Sequence, residues 1–96
     1  MTLQQLKYVA AVAGTGTISG AAQARVLSQP SLTAAIRELE QELNITIFSR
    51  TNRGVVLTAA GEEFLGYARQ VLEQTDLIEE RYTGSAPRRH RFSVSP

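Results

Sequence analysis

Ser28-Gln29-Pro30-Ser31-Leu32-Thr33-Ala34-Ala35-Ile36-Arg37-Glu38-Leu39-Glu40-Gln41-Glu42-Leu43-Asn44 reads as one amphipathic helix with both ends marked. Ser28 suits an N-cap, because its hydroxyl can accept an amide N–H of the first turn. Pro30 is harmless there, since first-turn amides have no partner inside the helix. Leu32, Ala35, Ile36, Leu39 and Leu43 recur at i, i+3, i+4, i+7 and i+11 and form one apolar stripe. Gln29, Ser31, Thr33, Ala34, Arg37 and Gln41 fall on the other side. Asn44 tolerates the left-handed conformation that ends a helix.

Two helices are expected before this one. Thr2-Leu3-Gln4-Gln5 is a capping-box sequence, followed by Leu3, Leu6, Val9, Ala10 and Ala13 at helical spacing. The glycines of Gly14-Thr15-Gly16 end that helix. A short second helix starts at Thr17 or Ser19, with Ile18, Ala21 and Ala22 as its apolar side. The paired alanines let a neighbouring helix approach closely. A break around Val26-Leu27-Ser28 separates it from the third helix.

After Asn44 the period changes. Ile47-Phe48 and Val55-Val56-Leu57 are β-prone, and Asn52-Arg53-Gly54 between them is a turn signal. Thr58 then caps a fourth helix that runs to about Tyr82. Leu57, Leu65 and Leu72 can face its own domain. A second stripe of Phe64, Ala68, Val71, Thr75, Ile78 and Tyr82 is spaced 4, 3, 4, 3 and 4. That average of about 3.5 residues is the period of a coiled-coil seam. The rest of the chain is too short to cover both stripes, so the second is assigned to a homodimer.

The expected fold is therefore mainly α. It is a winged helix-turn-helix, with a three-helix core plus a two-stranded β wing, followed by a long dimerisation/linker helix. The expected boundaries are 1–57 for the first unit, 58–83 for the long helix and 84–96 for a linker.

Charge distribution narrows the function. The net charge of the 96 residues is only +1, yet the signs are segregated. Residues 1–61 carry Lys7, Arg25, Arg37, Arg50 and Arg53 against Glu38, Glu40 and Glu42. Residues 62–83 carry Arg69 and Arg81 against Glu62, Glu63, Glu73, Asp76, Glu79 and Glu80. A surface for nucleic acid is expected in the first segment and not in the second. Arg88, Arg89, His90 and Arg91 in the tail read as a solvated linker.

Catalysis is disfavoured. There is no cysteine, and the single histidine, His90, lies in the tail. Glu62-Glu63 and Glu79-Glu80 are adjacent on a helix, so their side chains diverge by about 100° and share no site. No cofactor or metal is expected. No apolar run is long enough to span a membrane, and no signal peptide is present, which makes the cytoplasm the default location.

A helix fits the major groove with its first turn aimed at base edges. The candidate DNA contacts on the third helix are Ser28, Gln29, Pro30, Ser31, Thr33 and Arg37. Gln29 can pair bidentately with adenine, and the methyl of Thr33 can touch thymine. Arg50 and Arg53 of the hairpin are candidates for phosphate or the minor groove. Each has a bland counterpart: a polar helix face serves solubility, and Arg50 could pair internally with an acid such as Glu40. A second function class is a helical dimer that modulates another regulator without touching DNA.

The sequence resembles the LysR-type transcriptional regulators over residues 1 to about 83. The motifs are Leu3-Gln4-Gln5-Leu6-Lys7-Tyr8, Ser19-Gly20-Ala21-Ala22, Ser28-Gln29-Pro30-Ser31-Leu32-Thr33, Leu39-Glu40-Gln41-Glu42-Leu43 with Ile36, Ile47-Phe48-Ser49-Arg50, and Arg53-Gly54-Val55-Val56-Leu57-Thr58-Ala59-Ala60-Gly61. The resemblance implies contacts with an interrupted inverted repeat of double-stranded DNA through Gln29, Pro30, Ser31, Thr33, Arg50 and Arg53. It also implies a full-length tetramer with a small-molecule effector domain, whose first strand Phe92-Ser93-Val94-Ser95 would begin. Two residues depart from the family pattern. Ala34 stands where a long polar or basic side chain is common. Arg25 stands where a leucine packs beneath the third helix. At that spacing an arginine must snorkel or repack the helix, and Arg25→Leu is expected to raise thermal stability.

Overall fold

The computed structural model describes residues 1–83. Its elements run α1 (Leu3–Thr15), α2 (Ile18–Ala24), α3 (Gln29–Leu43), β1 (Phe48–Thr51), β2 (Gly54–Leu57) and α4 (Ala59–Thr83). The order matches the mainly α, winged arrangement expected from periodicity. The 84–96 linker and the strand expected at Phe92 lie outside the described residues.

Local chemistry accounts for most boundaries. Thr2 Oγ1 accepts the Gln5 amide while Gln5 Oε1 accepts the Thr2 amide, which completes the capping box of α1. Gly16 ends α1 at φ 79°, a conformation that suits glycine. Thr17 caps α2, Ser28 caps α3, and Thr58 Oγ1 accepts the Gly61 amide at the start of α4. Asn44 closes α3 in the left-handed conformation, φ 57° and ψ 42°.

Two apolar clusters hold these elements together. Val12, Ala21, Ala22, Leu32 and Ile36 join α1, α2 and α3. Ala21 and Ala22 are both buried, so small side chains bring α2 tight against its neighbours. Val9, Leu39, Ile47 and Leu65 form the second cluster and attach the hairpin and α4. Burying a side chain such as Leu32 or Leu39 contributes about 1.5–3 kcal/mol.

The hairpin is antiparallel, with Phe48 opposite Leu57 and Thr51 opposite Gly54. Its base is secured from two sides. Glu40 on α3 accepts the amides of Ile47 and Phe48 at 2.7 and 3.3 Å. The Thr58 amide donates to the Ile47 carbonyl at 2.9 Å. Gly61 lies so close to that carbonyl that any side chain there would collide with it.

Two expectations change. At the start of the α4 stripe the chain's own core takes up surface that the sequence assigns to a partner. Phe64 packs on the domain's own second cluster, and Ala68 is 2% exposed. α1 and α4 pack against each other. Arg25 is not at a buried helical position either. The helix ends at Ala24, and Arg25 takes φ −103° and ψ 8° at the cap. Its side chain is solvent-exposed, with the guanidinium 5.7 Å from the centre of the Tyr8 ring. No buried charge exists there for Arg25→Leu to remove.

Candidate nucleic-acid interface

The apolar stripe of α3 faces inward, with Leu32, Ile36 and Leu39 buried, so the opposite face is presented outward. Gln29, Pro30, Ser31, Ala34 and Arg37 are exposed and Thr33 is half-buried. Gln29, Pro30, Thr33, Ala34 and Arg37 line one shallow concave surface. Their spacing of roughly one helical turn produces that alignment. The missing long side chain at Ala34 leaves the middle of this surface low.

Ser28 behaves differently from its neighbours. Its Oγ accepts the Ser31 amide at 3.2 Å and donates to Ser31 Oγ at 2.8 Å. The hydroxyl is occupied in holding the first turn, which preorganises Gln29 and Pro30 beside it.

The hairpin comes up beside α3. Thr33, Ile36, Arg37 and Glu40 of α3 share a cleft with Phe48, Arg50 and Val55 of the hairpin and with Ile18 of α2. Arg37 and Arg50 are thus brought to one cleft from 13 residues apart in sequence. Glu40 lines it too, but its Oε2 faces the backbone amides of the hairpin base. Among the described residues, no ion pair joins Arg37, Arg50 or Arg53 to an acid. The internal Arg50–Glu40 pair considered from the sequence is not formed. Arg53 is exposed in the two-residue turn, where its amide donates to Thr51 Oγ1 at 3.2 Å.

Sequence reasoning missed how the hairpin is oriented. The Val55 amide donates to the Gly16 carbonyl at 3.0 Å, which ties β2 to the α1–α2 loop. No periodicity reports a bond between residues so far apart. It also offered Glu40 the wrong partner: the carboxylate accepts the backbone amides of Ile47 and Phe48 rather than pairing with Arg50.

On α4 the exposed apolar residues are Tyr67, Val71, Leu77, Ile78 and Tyr82. Thr75 is half-buried, and its hydroxyl donates back to the Val71 carbonyl at 2.9 Å. Tyr67 was not anticipated. Yet Tyr67, Val71, Ile78 and Tyr82 are spaced 4, 7 and 4, which places them on one face and was readable in the sequence. No described helix is long and apolar enough to cross a membrane, and no cluster of three metal-binding side chains occurs among the described residues.

The family described as "Bacterial regulatory helix-turn-helix protein, lysR family" matches residues 3–62. The HTH-type transcriptional regulator TfdT of Cupriavidus pinatubonensis is 51% identical over 86 residues, which are 90% of this chain and 38% of TfdT. The HTH-type transcriptional regulator ClcR of Pseudomonas putida is 47% identical over 81 residues, covering 84% of this chain and 28% of ClcR. The chain thus spans well under half the length of these curated relatives. Among solved structures, a CbnR_DBD–DNA complex is similar at 40% identity and a TM-score of 0.81, with 90% of this chain and 99% of that one covered. A complex of BenM_DBD with benA site 1 DNA is similar at 32% identity and a TM-score of 0.82, covering 86% and 93%.

Proposed function

Because the chain belongs to the lysR family of bacterial regulatory helix-turn-helix proteins, we propose that it binds double-stranded DNA and reads sequence with the first turns of α3. The observation that carries this reading is the outward face from Gln29 to Arg37, flanked by a hairpin whose arginines have no acidic partner among the described residues. Gln29, Pro30, Ser31 and Thr33 meet base edges, and Arg37 meets phosphate. Ser28 contributes through the cap. Arg50 and Arg53 grip the backbone or the minor groove beside the helix. The similarity to two DNA complexes supports this assignment.

The remaining parts follow from it. Residues 1–57 form the DNA-binding unit, 58–83 the linker and dimerisation helix, and 84–96 lead into an effector-binding domain of the longer protein. The homodimer forms through the exposed stripe of α4, and the full-length protein assembles as a tetramer responsive to a small molecule. Two α3 helices related by a two-fold axis read half-sites of an interrupted inverted repeat. The chain acts as a regulator and not an enzyme, in the cytoplasm where its DNA lies.

The test is fluorescence anisotropy at several salt concentrations, using a duplex recovered by the chain from a randomised pool and an unselected duplex. Salt-sensitive binding that favours the selected duplex, with the preference lost in Gln29→Ala, is the expected result. Weak binding indifferent to sequence, salt and mutation would instead favour the non-DNA-binding interaction module.

A further inference from the structure

The side chain of Thr17 is held between two glycines. Its Oγ1 accepts the Gly20 amide at 2.9 Å, which caps α2. On that side there is no room to spare, since a methyl group on Gly20 would come within 2.7 Å of Oγ1. On the other side, a methyl group on Gly54 would come within 2.9 Å of Thr17 Cγ2 and would collide with the Gly16 carbonyl oxygen. That carbonyl is the acceptor for the Val55 amide. Gly54 itself takes φ 146°, a conformation that side chains disfavour. The start of β2 therefore lies directly on the Gly16–Thr17 loop.

The location of this contact matters more than its size. The bonds from Glu40 and Thr58 hold the hairpin at its base, around Ile47 and Phe48. Gly54 and Val55 pair with Thr51 and Arg50 at the tip end. A ribbon of two four-residue strands is marginal alone and does not hold its own direction. The tip is aimed by what touches it, and the Gly16–Thr17 loop does so.

We infer that Thr17 is a positioning residue for the wing: its hydroxyl caps α2, while its methyl seats Gly54 and so sets where the adjacent Arg53 is carried relative to α3. This rests on the DNA-binding reading above. The two functions reside on different atoms of one side chain and can be separated. Thr17→Ser keeps the hydroxyl and removes the methyl. Thr17→Val keeps a methyl toward Gly54 and removes the cap.

The experiment measures thermal melting and the salt dependence of binding to the selected duplex for wild type, Thr17→Ser, Thr17→Val, Arg53→Ala and the double variant Thr17→Ser with Arg53→Ala. Loss of one phosphate contact makes the logarithmic salt slope shallower by about 1. Thr17→Ser is expected to melt like wild type but to show that shallower slope. Added to Arg53→Ala, it should cause no further change, because the contact it misplaces is already gone. Thr17→Val is expected to melt about 4–8 °C lower through the lost cap, with the wild-type slope. A wild-type slope for Thr17→Ser, or a slope change that adds to that of Arg53→Ala, overturns the inference while leaving the DNA-binding reading intact. A wild-type slope for Arg53→Ala removes the wing reading and the inference together.

Discussion

The Arg25 guanidinium lies over the ring of the half-buried Tyr8, 5.7 Å from its centre, and so joins the end of α2 to α1. The apolar body of the side chain and its charged head are both accommodated without burial. A contact of this kind at an exposed site contributes about 0.5–1 kcal/mol. Arg25→Ala should lower the melting temperature by a few degrees, and Arg25→Leu should give no rise. A clear rise for Arg25→Leu would show that the site accepts a core leucine after all.

Val26 is the strained residue of the fold. It takes φ 52° at the end of α2, where the Leu27 amide bonds back to the Ala22 carbonyl at 2.9 Å. That hydrogen-bonding pattern asks for glycine or asparagine, as α3 provides at Asn44. The Val26 side chain is 93% exposed, so it gains no packing in return. Left-handed backbone costs a β-branched residue on the order of 1–2 kcal/mol. Val26→Asn should therefore raise stability by about 1 kcal/mol in urea denaturation. An unchanged midpoint would show that valine at this position carries no strain that asparagine relieves.

Glu40 holds α3 to the base of the hairpin through the Ile47 and Phe48 amides. Removing the acceptor leaves two part-buried donors without a partner, at about 1–3 kcal/mol. Glu40→Ala should destabilise the chain by that amount. Glu40→Gln, which retains an acceptor oxygen, should recover part of it. Equal stability of the alanine variant and wild type would contradict this role.

The two halves of α4 should respond oppositely. Ala68 is buried against its own domain, so Ala68→Leu overpacks the core and should cost about 1–3 kcal/mol. Ile78 is 59% exposed beside Val71 and Tyr82. Ile78→Glu should leave the melting of the domain core nearly unchanged but convert a dimer to monomer in sedimentation velocity. Sedimentation of the glutamate variant as a dimer would move the seam elsewhere.

Most of the architecture was legible in the chain because it depends on local rules. Capping residues at Thr2, Ser28 and Thr58, the left-handed Asn44 and the apolar stripe of α3 each act over a few residues. So does the choice of outward face for Gln29, Thr33 and Arg37, which follows once Leu32, Ile36 and Leu39 are inward. Three features were not legible, and each depends on long-range packing. Ala68 falls in the 3.5-residue stripe yet is buried within its own chain, and a 3.5-residue period says nothing about which neighbour covers a residue. Arg25 leaves the buried row because α2 stops one residue before it. The wing is aimed by Gly16, Thr17 and Gly54, whose glycines signal turns in sequence but whose mutual contact exists only after α1, α2 and the hairpin have packed. Caps and periodicity act over about one helical turn, whereas covering a face or aiming a hairpin depends on which distant surface arrives beside it.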